Sequence, residues 1–311
     1  MTPWQSRVRD VKRDHIRYPP WDSLNYLVTE GASVSTLKEC EDWFGGFHGD
    51  WCYRGHRVET WFLISSLYRE RKEVTAAVGD RIHSTFQPFD SPAQEHSLLT
   101  EFQRTDFGSA FYGPAHALAM MQHYGAPTTW LAFTRSPLVA LYFALENARS
   151  ERNNDGSPTG SALFAIDLDW LTKTGQTMMD EGNFNVIVSE TTQTNPRMIA
   201  QQGLLLSNRS KKMTLTESLL GMLLRSPEAS ERQVVSKLVL KRDQRTEILN
   251  TLARMGIYRT SLLRPNSEAV QTAKAVTERL RGRLRAQRNE SRESLTERME
   301  SRNTHKNNQD V

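Results

Sequence analysis

Between Pro137 and Leu145 the chain reads Pro-Leu-Val-Ala-Leu-Tyr-Phe-Ala-Leu, without a charge, and this run restricts the fold more than any other. Residues 138–148 suit a helix, and one that is apolar on nearly every side from Leu138 to Leu145 has to be enclosed by the rest of the protein. Ser136 is placed to cap this helix and Pro137 to open it, because a first-turn residue needs no N–H. Just upstream, residues 128–134 (Thr-Thr-Trp-Leu-Ala-Phe-Thr) favour β-branched and aromatic side chains and read as a short strand. Gly125 and Pro127 turn the chain into that strand after Gln122, His123 and Tyr124. A strand thus runs into a buried helix through Thr134, Arg135 and Ser136, and the positive N-terminus of the helix faces whatever lies at the strand's end.

The flanking sequence supplies the other layers. Strands are expected at 51–54, 162–168, 185–188, 204–206 and 234–240, and helices at 34–43, 95–105, 115–123 and 245–255, the last ending at Gly256 as its C′ residue. Residues 215–224 fit either a helix or a loop, and 62–67 mixed structure. Residues 150–160, rich in Asn, Asp, Gly, Ser and Pro, form an exposed connection. Residues 1–20 are polar and basic, and read as an arm outside the core. The fold class is α+β: a mixed or antiparallel sheet with flanking helices.

An apolar fraction of 38% supports a sizeable core, and no apolar run approaches the ~18 residues a bilayer span requires. With no signal-like apolar stretch at the start, and with Cys40 and Cys52 as the only cysteines, the expected setting is the reducing cytoplasm and the expected role of both thiols is packing. The net charge of +4 belongs to the end of the chain: residues 264–311 hold eleven Lys or Arg against seven Asp or Glu, leaving the body balanced. Beyond residue 265 a helical start gives way to a disordered basic tail, with six Arg between Arg279 and Arg292 and no aromatics. That tail is either a solvated segment with internal Glu–Arg pairs or a sequence-tolerant contact for nucleic-acid phosphates.

Candidate chemistry rests on a few side chains. Arg54 before Gly55 either pairs with a carboxylate or carbonyl, or clamps a phosphate with its fork of donors. His123 and Tyr124 either close a turn or offer a hydrogen bond and a stacking face. Thr134 and Ser136 serve as helix cap or as ligand contacts; Tyr142 and Phe143 are most simply core. Arg197, Gln201 and Gln202 precede a strand, where the amides satisfy backbone groups or bind hydroxyls, and Glu190 offers a carboxylate. No His-Glu-x-x-His, Cys-pair or Gly-x-x-x-x-Gly-Lys-Ser/Thr run occurs, so neither a zinc hydrolase nor a P-loop enzyme is supported, and no metal is expected. A Ser-His-Asp enzyme has no orienting acid at a legible spacing.

Several motifs together resemble the FRG domain family. They are Tyr53-Arg54-Gly55, Ser65-Ser66-Leu67-Tyr68-Arg69, Glu101-Phe102-Gln103-Arg104, Gln122-His123-Tyr124-Gly125 with Pro127-Thr128, and Thr134 with Ser136-Pro137 and Ala140-Leu141-Tyr142-Phe143-Ala144. Asn195-Pro196-Arg197, Ala200 to Gly203 and residues 248–265 resemble the family's closing segments. The resemblance implies an arm at 1–36, an FRG-like domain at 37–265 and a tail at 266–311. Where the family has Thr-Arg-Leu-Leu-Asp-Trp-Thr, this chain lacks the Arg (Thr129) and the Asp (Ala132). If those two pair to orient the site, their joint loss preserves packing; if they bind ligand, the usual activity is lost.

An Arg strand, a Thr-x-Ser joint into a helix and a late polar residue also resemble the layout of ADP-ribosyltransferases. That likeness implies a split antiparallel sheet holding NAD. Arg54 would lie on phosphate or ribose, Thr134 and Ser136 beside the nicotinamide ribose, Tyr142 near the ring with His123 and Tyr124, and Gln202 or Glu190 on a ribose hydroxyl. Two functions follow as expectations: an NAD-dependent toxin or phage-defence effector that modifies a macromolecular target, or a non-catalytic module that binds nucleotide or nucleic acid.

Overall fold

The computed structural model describes residues 2–14, 20–30, 33–67, 91–104, 114–123, 126–148, 159–177, 186–190, 196–208 and 213–263, with 278, 282 and 286. Tyr124, most of the expected connection at 150–160 and nearly all of the tail lie outside these residues. The chain divides into two units, residues 1–91 with 129–265 and residues 92–128 with 266–311. In the described part of the smaller unit are two helices, over Ser91–Gln103 and Pro114–His123, which bury Leu98, Leu99 and Phe102, and Ala117 to Met121.

The larger unit is built on six strands: β1 (Trp51–His56), β2 (Leu131–Thr134), β3 (Ser161–Asp167), β4 (Val186–Glu190), β5 (Gly203–Asn208) and β6 (Val235–Leu240). They lie in the order β4-β5-β2-β1-β3-β6, and every neighbouring pair is antiparallel. The fold is therefore α+β with an open antiparallel sheet and flanking helices. Pairing is uneven across it. β1 matches β3 over all six of its residues, from Trp51 with Asp167 to His56 with Ala162, whereas β1 and β2 share only Tyr53 with Thr134.

Alternation along β1 sorts side chains onto two faces. Cys52 joins a core with Phe133, Phe164 and Ile166, covered by α1 (Pro3–Asp14), α2 (Pro20–Val28) and, further along the chain, the helices Leu168–Thr177 and Leu215–Arg225. The segment expected to be an arm is thus part of this core: Trp4, Val8 and Val11 are buried, and the Trp4 indole donates to the Ala229 carbonyl at 2.8 Å. Their i, i+4, i+7 spacing is a helical stripe, masked in the sequence by the charges of Arg7, Arg9, Asp10, Lys12 and Arg13 around it. Residues 215–224 resolve as helix because Thr214 and Glu217 form a reciprocal capping box.

On the opposite face Trp51, Tyr53, Leu163, Ala165, Leu238 and Leu240 pack under α3 (Leu37–Gly45) and the buried helix Pro137–Leu145, with Ile248, Leu252 and Leu262 from the last two described helices. Ser136 caps the central helix as expected, accepting from Val139 N at 3.3 Å, and Pro137 occupies its first turn. This helix lies directly on β1. A Cβ at Gly55 would come within 2.1 Å of the Ala140 carbonyl oxygen and 2.5 Å of the Ala144 nitrogen, both backbone atoms that cannot swing aside. Gly55→Ala should therefore cost about 3 kcal/mol or more by forcing helix and strand apart. Urea denaturation checks this: a midpoint equal to that of the wild type would show that the helix does not rest on the strand at this point.

Lys237 is the unusual group in the first core. It is 4% exposed, faces Phe164 at 5.5 Å and donates to Asn25 Oδ1 at 2.9 Å, and burial, opposed only by the charge of Glu59, pushes its pKa from 10.5 down to about 8. Below pH 8 the lysine is charged both folded and unfolded, so the folded state carries the full cost of that burial. Between pH 8 and 10.5 only the unfolded chain holds the proton, and stability rises. Lys237→Met should stabilise the protein by about 3 kcal/mol at pH 7, with the gain shrinking as pH approaches 10. Melting curves at pH 7 and 10 test this, and a gain that does not depend on pH would contradict it.

Candidate functional site

Four strand ends converge where β2 leaves the sheet. Thr134 pairs with Gly203 at the start of β5, Glu190 at the end of β4 pairs with Leu204, and Asp50 directly precedes β1. Thr134 is buried; its hydroxyl donates to the Gln201 carbonyl at 2.6 Å and accepts from Ser136 N at 2.9 Å. It thereby locks the strand-to-helix joint to the turn before β5. That turn is tight: Gln201 N reaches the Arg197 carbonyl at 2.9 Å, Gln202 N reaches Ile199 O at 3.0 Å, and Gln202 adopts a φ of +46°. This left-handed conformation costs a residue with a Cβ about 1 kcal/mol or more. Its carbonyl then accepts from Arg135 N at 2.9 Å, and the Gln201 amide donates to Leu262 O at 3.1 Å.

Arg135 closes the corner. Its guanidinium bridges Asp50 and Glu190, so one side chain ties the beginning of β1 to the end of β4. The hydrogen bond to Asp50, and then that to Glu190, raise its pKa above the usual arginine value. The pairs are open to water: Arg135 is 37% and Glu190 73% exposed. Exposed pairs of this kind contribute little each to stability and more to orientation.

Arg54 points the other way. The registered pair of Tyr53 with Thr134 puts those two on one face, and Arg54 therefore sits on the face of Cys52 and Phe133. Its Nη1 donates to the Ala132 carbonyl just where the β1–β2 ladder ends, its Nε donates to His56 Nε2 at 2.9 Å, and its plane lies 5.9 Å from the Phe133 ring. Because arginine only donates, His56 accepts through Nε2 and carries its proton on Nδ1, 3.2 Å from the Trp61 carbonyl. Arg54 thus binds the backbone of Ala132. Thr129 accepts a hydrogen bond from Ser207 through both its carbonyl, at 3.1 Å, and its hydroxyl, at 3.3 Å.

The structure gathers Thr134, Ser136, Glu190 and Gln202 at one sheet end and leaves Arg54 on the opposite face. Tyr142 lies further along the buried helix, 5% exposed, its pKa raised by burial and then by its hydrogen bond to Glu146, which in turn pairs with Arg259. His123 ends its helix, and Tyr124 lies outside the described residues. Sequence reasoning passed over Arg135 and Asp50. Position supplied a signal: a residue between Thr134 and Ser136 points away from Thr134, and an acid before the neighbouring strand is within its reach. Among the described residues no three His, Cys, Asp or Glu side chains are grouped to hold a metal ion, and no helix is long and apolar enough to cross a membrane.

Comparison with known proteins gives one match. The FRG domain model aligns with residues 49–153, which contain β1, β2, the Thr134 to Ser136 joint and the buried helix, and which end before β3. No curated protein and no solved structure matches the chain. The helix-on-strand contact at Gly55 and the capped joint at Ser136 thus both fall in the matched segment, and the chain carries an FRG domain at residues 49–153.

Proposed function

We propose that this FRG-domain protein binds a nucleotide-type ligand, with NAD as the candidate, at the centre of the sheet. The observation that carries the reading is the adjacency of three strands distant in sequence: β1 with Arg54, β2 with Thr134 and Ser136, and β5 opened by Gln202 stand side by side. The β1–β2 ladder stops after one pair, beside Arg54, which is where a split sheet would admit a ligand. A dinucleotide needs donors for its pyrophosphate and for its ribose hydroxyls. The helix that begins at Pro137 lies on one face with its N-terminal N–H groups at this end of the sheet, and Arg54 supplies a planar cation on the other face, beside the opening, so the ligand would have to reach through the split.

The same residues fit binding better than group transfer. Loss of nicotinamide builds positive charge on the ribose and calls for a carboxylate beside it, whereas Glu190 is paired with Arg135 and Gln202 offers only an amide. A transferase acting as a toxin or defence effector is the second reading, favoured by the split sheet. Titration calorimetry with NAD, ADP-ribose and AMP tests both. Heat with NAD that is lost in Arg54→Ala, at an unchanged melting temperature, is the expected result. No heat with any of the three removes the nucleotide reading, and unfolding of Arg54→Ala makes that arginine a structural member of the sheet.

The tail is the separate place for nucleic acid. A chain ending at Pro265 should keep its nucleotide binding. If the full chain binds RNA or DNA with a steep salt dependence, the truncated chain should lose that binding, since the ten basic residues removed, without aromatics, can hold phosphates but not stack bases. Equal RNA and DNA binding by both chains at two salt concentrations would show that the tail makes no such contact.

A further inference from the structure

The sheet has two outer edges, and the chain treats them differently. Beyond β6, Thr29 and Val34 form parallel bridges with Lys237 and Leu240. Glu30 N donates to the Lys237 carbonyl at 2.9 Å, Val34 N to the Val239 carbonyl at 3.0 Å, and Lys241 N to the Val34 carbonyl at 2.7 Å. The opposite edge is β4, and among the described residues no backbone hydrogen bond reaches its outer side.

Which groups of β4 point outward follows from the neighbouring ladders. Arg135 N donates to Gln202 O, so in β5 the N–H and C=O groups of Leu204 and Leu206 turn toward β2. Those of Leu205 and Ser207 then turn toward β4, where they meet Ser189 and Ile187. The Ala132 carbonyl, turned away from β5 and bound by Arg54, agrees with this alternation. Val186, Val188 and Glu190 are left with their donors and acceptors directed to the edge. Natural edges are commonly guarded by a lysine, a proline or a bulge. β4 has none of these: Val-Ile-Val-Ser-Glu matches β5 residue for residue, and its one charge, Glu190, is held by Arg135.

The strand is complementary to itself. About a two-fold axis at Val188, an antiparallel copy places Val188 opposite Val188 and Val186 opposite Glu190, and each such pair exchanges its outward N–H and C=O groups. On one face the two Val188 side chains meet, and on the other Ile187 meets Ser189. The two Glu190 carboxylates fall at opposite ends, about 13 Å apart along the strands, beyond a screening length of about 8 Å at physiological salt. A parallel copy in register would instead set Glu190 beside Glu190.

We propose that β4 is a docking edge for a second copy of this chain, the two β4 strands pairing antiparallel about Val188 so that the sheets of both copies become continuous. A single pair of five-residue strands buries less than the roughly 1,200 Å² of a stable interface, so the dimer is weak and depends on concentration. The proposal does not rest on nucleotide binding, and the two can fail separately.

Sedimentation of the full chain between about 10 μM and about 1 mM tests it, with amide hydrogen exchange followed over the same range. Dimers are expected at the upper end, and there exchange at Val188 and Glu190 should slow about twofold or more, while Ile187 and Ser189, already bonded to β5, change little. Val188→Pro removes only an outward N–H, so it should melt near the wild type and remain monomeric. A monomer at every concentration leaves the edge to an extended peptide of another protein and overturns the proposal. A dimer that leaves exchange at Val188 unchanged, or that a folded Val188→Pro still forms, is made elsewhere and overturns it equally. If Val188→Pro does not fold, exchange in the wild type decides alone.

Discussion

The fold depends on one close approach, the helix of residues 137–145 lying on β1 at Gly55 with no side chain between them. That approach needs small residues on both partners, and Ala140 and Ala144 supply them one helical turn apart. It also demands that the helix start at a fixed place, which Ser136 and Pro137 ensure. Once helix and strand are fixed, Tyr53 and Thr134 come into register, and Arg54, one residue along, is delivered to the opposite face. The Tyr-Arg-Gly triplet thus combines a core aromatic, a cation and a contact surface in three successive residues.

Around that contact, polar groups are used in pairs. Thr134 binds the turn before β5, Arg135 binds two carboxylates across the strand ends, and Arg54 binds a carbonyl and a histidine. Beside the joint, the Ala132 carbonyl accepts from Arg54, and Ser207 donates to Thr129. At residue 132 the Arg54 cation meets a backbone carbonyl.

Much of this was legible in the residues. Capping at Ser136, the burial of the helix after it, the strands flanking it and the α+β class all follow from local rules that the structure obeys, because in these segments local preference and tertiary packing agree. The helix at 3–14 was not legible, since three apolar residues among many charges resemble a solvated face until a sheet is present to receive them. Neither was the separation of Arg54 from Thr134. Each lies on its own short strand, and only the pairing of Tyr53 with Thr134 determines which of their faces coincide. Gln202 could be singled out as polar and placed before a strand, but its left-handed backbone is imposed by the turn and leaves no trace in composition.

The single pair joining β1 to β2 has a consequence for how the chain reaches this state. It divides the sheet into β4-β5-β2 and β1-β3-β6, and the connections β1 to β2, β2 to β3, β3 to β4 and β5 to β6 all pass from one half to the other. Only β4 and β5 are neighbours both in sequence and in the same half. Neither half is a continuous stretch of chain, so no growing N-terminal fragment can complete one before the other has begun. Non-local pairing of this kind makes for slow folding, with loop closure preceding most of the stabilising contacts. During synthesis, β3 would keep one edge unpaired until β6, the last of these strands to emerge, covers it.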